Sequence, residues 1–333
     1  MIITRTPFRI SFFGGGTDYP AWFREHGGKV LSTAINKYCY LSVRDLPPFF
    51  EHKSRVVYSK VEMVQDHKDI QHPAIRGILL DRKIDRGLEI HHDGDLPARA
   101  GLGSSSSFTV GLLHALHALE GRLVGKNELA RQAIRIEQEV LAENVGCQDQ
   151  IIVSWGGLNT IEFRQDGTFD VTPVILPPER RTELEDSLML FFTGKTRFAT
   201  DVAGQKIRNM PNRIKELTEM GAMVDQALEI LRDVRQPIDH FGELLHQSWL
   251  RKRTLSEAVT TPLVDDIYSE AMAAGATGGK LLGAGGGGFM VFVVRPALRK
   301  MVRRRLEKLL NVNFRFDHTG SKIIVFNPEE ERE

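Results

Sequence analysis

Through the first hundred positions, apolar residues alternate or cluster in short runs. The pattern predicts strands over 9–13, 29–35, 38–43, 55–59 and 88–92, rich in β-branched and aromatic residues. The period then changes. Phe108, Leu112, Leu113, Ala115, Leu116 and Leu119 recur at helical spacing and predict a helix over 104–120. A second helix is predicted from an Asn127 cap to about 143, then two strands over 158–163 and 169–173. Pro177-Pro178 and the charged stretch to Asp186 read as a linker. Beyond it come an apolar strand over 187–193, long amphipathic helices around 201–235 and 240–258, and another starting at Pro262. Two strands flanking a glycine cluster, a helix over 296–310 and a strand over 322–326 complete the chain. Strands and helices mix without strict alternation, so the expected class is α+β, in two domains spanning 1–178 and 187–333.

Charge narrows the function. The formal net charge is +1 over 333 residues, which offers no broad field for nucleic acid or a membrane surface. The basic run 299–305 carries Met301 and Val302, with Leu306 after it, and reads as a helix with a core stripe and a solvated cationic face. No run of 18 apolar residues occurs, and the first residues lack the basic and apolar regions of a signal peptide. Two distant cysteines, Cys39 and Cys147, fit a reducing compartment. The expectation is a cytoplasmic protein with no nucleic-acid or membrane partner; a homo-oligomer is compatible with it.

The candidate chemistry lies in three glycine segments. The first reads Pro97-Ala-Arg-Ala-Gly-Leu-Gly-Ser-Ser-Ser-Ser107, directly before the predicted helix. Gly101 and Gly103 can take positive φ and admit close approach by an anion, while the helix start behind Ser104–Ser107 supplies free amides and a positive dipole end. A serine-capped turn alone would need neither four serines nor a second glycine cluster. The segment is not a Walker A loop, lacking Gly-Lys-Ser/Thr, nor a dinucleotide fingerprint, because Ser106 takes the third glycine's place. The second segment, Gly283-Ala-Gly-Gly-Gly-Gly288, has more glycines than a hairpin needs and points to backbone contact with a ligand or another backbone. In the third, a strand holding Arg9 runs into Gly14-Gly-Gly-Thr-Asp18. Arg9 among Phe8, Ile10 and Phe12 either finds a partner or faces solvent. Asp18 is a turn residue or an acceptor for sugar hydroxyls.

Two further acids stand out. Glu137 falls within the stripe of Ala130, Ala133, Ile134, Val140 and Leu141, whereas Glu139 points elsewhere. A carboxylate on an apolar face needs a partner: a buried ion pair, or magnesium, which takes carboxylate and hydroxyl oxygens. Asp149, in Gly146-Cys-Gln-Asp149, lies past that helix and before the apolar run 151–153, as a cap or as a base held in a cleft.

The three glycine segments, taken along the chain as 7–19, 97–107 and 280–288, resemble those of the GHMP kinases (galactokinase, homoserine kinase, mevalonate kinase and phosphomevalonate kinase), and the likeness covers nearly the whole chain. Within the family the chain is most similar to heptose 7-phosphate kinases, through Thr6-Pro-Phe-Arg-Ile-Ser-Phe-Phe-Gly-Gly-Gly-Thr-Asp18 and Gly146-Cys-Gln-Asp-Gln150. The resemblance implies a ribosomal-protein-S5-like N-terminal domain and a ferredoxin-like C-terminal domain. It implies ATP and Mg2+, and phosphorylation of a sugar phosphate at its anomeric hydroxyl, with a galactokinase- or fucokinase-like kinase of an unphosphorylated sugar, or a sugar- and ATP-sensing regulator, as alternatives. By the resemblance Gly101, Leu102, Gly103 and Ser104–Ser107 hold the ATP phosphates, Ser105 and Glu137 hold magnesium, and Asp149 is the catalytic aspartate with Arg9 beside it. Gly16, Thr17 and Asp18 meet the sugar, and Gly285, Gly286 and Gly287 support the phosphate loop. Where galactokinase has Glu-His before Thr-Asp, this chain has Gly15-Gly16, which weighs against galactose. Lys195 and Arg197, just after a strand, are candidate cations for the sugar's own phosphate.

Overall fold

The computed structural model describes residues 1–195 and 199–327. The chain opens with β1 (Ile2–Phe13), α1 (Pro20–His26), β2 (Gly28–Asp45), β3 (Ser54–Val57), β4 (Val61–Val64), α2 (Pro73–Asp81) and β5 (Leu88–Gly94). Helices α3 (Ser104–Leu119), α4 (Lys126–Arg135) and α5 (Gln148–Trp155) precede the hairpin β6 (Leu158–Phe163) and β7 (Phe169–Pro173). Next come α6 (Pro178–Ser187), β8 (Leu188–Phe192), α7 (Ala199–Asn209), α8 (Ile214–Arg232), α9 (Asp239–Thr254) and α10 (Pro262–Ala273). The chain ends with β9 (Ala276–Leu281), β10 (Phe289–Val294), α11 (Arg299–Arg305), β11 (Leu310–Val312) and β12 (Lys322–Phe326).

Eight strands make one mixed sheet, in the order β12-β1-β2-β5-β3-β4 with the β6–β7 hairpin attached to β2. The second sheet, β11-β8-β10-β9, is antiparallel. The architecture is α+β, as the mixed element order implied. The last strand crosses back: β12, read from the sequence with the unit 187–333, pairs with β1.

Helix α3 carries the phosphate-loop candidate at its start, and its packing places that loop. Its Phe108, Val110, Leu112, Leu113, Ala115 and Leu116 are each at most 5% exposed. A helix apolar around most of its circumference belongs in a core, and α3 lies against β1 and β2. Gly111 permits that approach, since a Cβ there would stand 3.0 Å from Thr6 Oγ1 and 3.1 Å from Leu41. The helix start is thereby held beside Pro7–Arg9 of β1.

Several boundaries differ from the sequence reading. The supposed linker is helix α6, started by Pro178 and anchored by buried Arg180, which donates to the carbonyls of Ile230 and Leu231. The long helix over 201–235 is two, broken by the 3-10 turn Met210–Asn212, whose Pro211 has no amide to continue the ladder. The predicted strands 29–35 and 38–43 are one strand, β2, carried through register shifts against β1. The helix over 296–310 shrinks to α11, with Leu310 already in β11 and Met301 exposed. The helix expected to run to 143 ends α4 at Arg135 and continues as one π-helical turn, Ile136–Val140, which carries Glu137.

Candidate active site

The candidate phosphate loop is shaped by three left-handed residues: Arg99 at φ 60°, Gly101 at φ 81° and Gly103 at φ 73°. The Ser107 amide donates to Gly103 O at 2.9 Å, so the amides of the first turn lie ahead of the helix ladder. Two expected phosphate ligands instead pin the loop to β1. Ser107 Oγ is buried, donating to Pro7 O at 2.8 Å and Gly103 O at 3.0 Å, and Leu102 O accepts from the Arg9 amide at 3.0 Å. Gly101, Gly103, Ser104, Ser105 and Ser106 face a cavity of about 380 Å³.

The glycine cluster between β9 and β10 closes on this loop backbone to backbone. The Phe289 amide donates to Ala100 O at 3.0 Å. A Cβ on Gly283 would stand 2.6 Å from Gly101 Cα, and one on Gly288 would stand 2.3 Å from Ala100 O. Gly285 and Gly287 also line the cavity, while the Gly286 amide is tied to Val259 O at 3.0 Å.

Against the loop lies an ion pair. Arg9, 4% exposed, forks onto Asp149: Nε to Oδ1 at 2.7 Å and Nη2 to Oδ2 at 2.5 Å, with Nη1 donating to Gly101 O at 2.6 Å. A bidentate fork fixes a carboxylate's orientation as well as its charge. Asp149 does not trail a helix end, as the sequence reading had it. It sits in the first turn of α5, where the dipole favours an anion. The alternative of a solvated Arg9 falls away.

Glu137 is fully buried. Its Oε2 accepts from Ser106 Oγ at 2.9 Å and from the Gln150 amide, while Oε1 has no hydrogen-bond partner among the described residues. Burial, with Glu143 nearby, pushes its carboxyl up to about 8. The hydroxyl expected beside it was that of Ser105, but Ser105 is exposed to the cavity and its neighbour Ser106 makes the contact. The helix turn decides this: α3 points Ser106 inward toward α4 and α5. Glu137 therefore stands one hydroxyl behind the cavity wall.

Asp18, 2% exposed, lines the cavity, with Oδ1 accepting from the Gly16 amide at 2.8 Å. Burial raises its pKa. A Cβ on Gly146 would stand 1.9 Å from Asp18 Oδ2, so the motif around Asp149 also makes room for Asp18. Gly16 lines the cavity too, but Thr17 does not: its hydroxyl donates to Gly14 O at 2.8 Å and accepts from the Lys29 amide at 3.0 Å. Lys195 is exposed and borders a smaller hollow with Thr261 and Gly287, outside the main cavity. Arg197 lies outside the described residues.

Three buried lysines facing the cavity escaped the sequence reading: Lys206 of α7, Lys252 of α9 and Lys280 of β9. Lys252 Nζ donates to Leu281 O and Gly283 O, both at 2.7 Å, and Lys280 Nζ donates to Phe12 O at 2.7 Å. Burial pushes Lys280 down to about 7 and Lys206 down to about 8. Lys280 had a usable signal, a lone cation in an apolar strand like Arg9. Lys206 and Lys252 had none, because a lysine on an amphipathic helix ordinarily belongs to the wet face.

Family models for the GHMP kinases N terminal domain and the GHMP kinases C terminal match residues 70–157 and 223–312. A D-glycero-alpha-D-manno-heptose 7-phosphate kinase of Campylobacter jejuni is 30% identical over 320 residues, covering 92% of this chain and 93% of that protein. A bifunctional fucokinase/GDP-fucose pyrophosphorylase of Arabidopsis thaliana is 27% identical, covering 91% of this chain and 31% of its own length. Among solved structures, a D-glycero-D-manno-heptose 1-phosphate kinase from Bacteriodes thetaiotaomicron has a TM-score of 0.79 at 23% identity, over 98% of this chain and 100% of that one, a likeness of fold. No helix among the described residues is long and apolar enough to cross a membrane.

Proposed function

This chain belongs to the GHMP kinases, and on that premise we propose that it phosphorylates the anomeric C1 hydroxyl of D-glycero-D-manno-heptose 7-phosphate with ATP. The products are the 1,7-bisphosphate and ADP, made in the cytoplasm for nucleotide-activated heptose synthesis. The observation that carries the reading is the Arg9–Asp149 fork beside the phosphate loop: a Cβ on Gly103 would stand 3.3 Å from Asp149 Oδ2.

The amides at the start of α3, with Ser104 and Ser105, receive the ATP phosphates. Asp149 takes the proton of the C1 hydroxyl as that oxygen bonds to the γ-phosphorus and the bond to the β,γ-bridging oxygen breaks. Arg9 keeps Asp149 aimed at the hydroxyl and places positive charge beside the transferring group. Asp18 accepts from sugar hydroxyls.

The residues also fit magnesium. A buried carboxylate with one unpartnered oxygen and a serine hydroxyl on the other is the oxygen set a hard cation takes. Glu137 and Ser106 would hold the ion. When bound, magnesium supplies charge neutralisation to the phosphates.

The test is a panel of heptose and hexose sugars, with and without a terminal phosphate, incubated with ATP and Mg2+ and read by phosphorus NMR. The expected result is an anomeric phosphate formed fastest on heptose 7-phosphate. Faster turnover of free fucose or galactose would replace this reading with the unphosphorylated-sugar kinase.

A further inference from the structure

Of the cavity's lysines, Lys206 is set apart. Lys252 and Lys280 hold main-chain carbonyls and so brace the glycine loop and the end of β1. Lys206 is 6% exposed and faces the cavity, yet among the described residues its ammonium has no oxygen partner. Its Nζ lies 5.7 Å from the centroid of the Tyr19 ring. An ammonium in a largely buried residue, with no oxygen partner among the described residues, is favoured by a ligand that supplies acceptors.

The position identifies the supplier. Lys206 is subject to the charges of both Asp18 and Asp149 without forming an ion pair of 4.0 Å or less with either among the described residues. It lines the same cavity as Asp18 and Asp149, and as Ser104–Ser106. Asp18 can only accept when ionised and Lys206 can only donate, so together they suit a polyhydroxylated molecule that also carries an anion. An uncharged sugar would satisfy Asp18 and leave the ammonium with neutral oxygens at best.

Resting on the sugar phosphate reading above, we propose that Lys206 takes the acceptor's own phosphate and is the residue that makes this kinase prefer a phosphorylated sugar. The contact is a charge-assisted hydrogen bond from the ammonium to a phosphate oxygen. It moves the anion-binding role from Lys195, which lies outside the cavity, to a residue inside it.

The experiment compares kcat/KM for D-glycero-D-manno-heptose 7-phosphate and for D-glycero-D-manno-heptose, in the wild-type protein and in Lys206→Met and Lys206→Arg. In Lys206→Met the preference for the phosphorylated sugar should fall about 10- to 100-fold, mostly through KM. Lys206→Arg, which keeps the charge, should recover part of it. Binding of a non-hydrolysable ATP analogue separates the two phosphates. A loss concentrated on the analogue would assign Lys206 to the nucleotide and overturn the proposal. So would a preference that stays within threefold of wild type in a folded Lys206→Met protein. If the wild type itself shows no preference for the phosphorylated sugar, the substrate reading and this inference both fall. If it shows one that Lys206→Met keeps, this inference alone falls.

Discussion

Gly283→Ala places a methyl group where the phosphate loop already is. Its Cβ would stand 2.6 Å from Gly101 Cα and 3.2 Å from Gly101 O, and both are backbone atoms that cannot swing aside like a side chain. Gly283 also has a φ of 68°, where an L-residue loses about 1–2 kcal/mol. Overpacking adds about 1–3 kcal/mol. The sum, about 2–5 kcal/mol, is a large share of the roughly 5–15 kcal/mol that holds a typical domain together. Relief is available only by parting the two glycine loops, so ATP-analogue affinity should fall with stability. Urea unfolding and calorimetric titration read the two effects. Gly221→Ala is the control. It lies in α8, its Cβ would meet Thr17 at an ordinary 3.7 Å, and replacing a helix-interior glycine should stabilise by about 0.5–1 kcal/mol. If Gly283→Ala cost under about 0.5 kcal/mol and left analogue binding intact, the interlock of the loops would be refuted.

Other outcomes follow from the same geometry. Asp149→Asn should lower kcat about 10²- to 10⁴-fold, and near wild-type turnover would remove Asp149 as the base. Ser106→Ala should raise the magnesium concentration needed for half-maximal rate more than Ser105→Ala does, because only Ser106 is bonded to Glu137; equal effects would return the metal contact to Ser105. Lys280 has its folded pKa depressed to about 7 against an ordinary 10.5. Between those values the unfolded chain holds more protons, so Lys280 makes stability rise with pH across the window. Lys280→Met should flatten that rise in denaturation midpoints measured from pH 7 to 10, and an unchanged slope would contradict the burial of a cation there.

Much of the site was legible because some of its signals are local. Arg9 stood out as a charge in an apolar strand and proved buried; Glu137 stood out within an apolar stripe and proved fully buried. Gly283–Gly288 had too many glycines for a hairpin and proved to press on the phosphate loop. Differences came where one helical position matters: Ser106 rather than Ser105 meets Glu137, and Asp149 lies inside α5 rather than beyond a helix. They came also where proline or a covering segment overrides periodicity, as at Pro211 and in α6.

The sequence alone determined that this chain has a helix starting behind a glycine–serine loop, an arginine within an apolar strand, and a carboxylate set among apolar residues. Hydrophobic period and glycine content register what a segment buries and how closely its backbone can be approached. Which distant segment does the burying is not written in any local pattern. Only the tertiary structure paired Arg9 with Asp149 across 140 positions, sent β12 back to β1, and turned Lys206 inward from a helix face that reads as solvated. An ammonium's environment is set by what surrounds it, and here that includes the Tyr19 ring and the charges of Asp18 and Asp149.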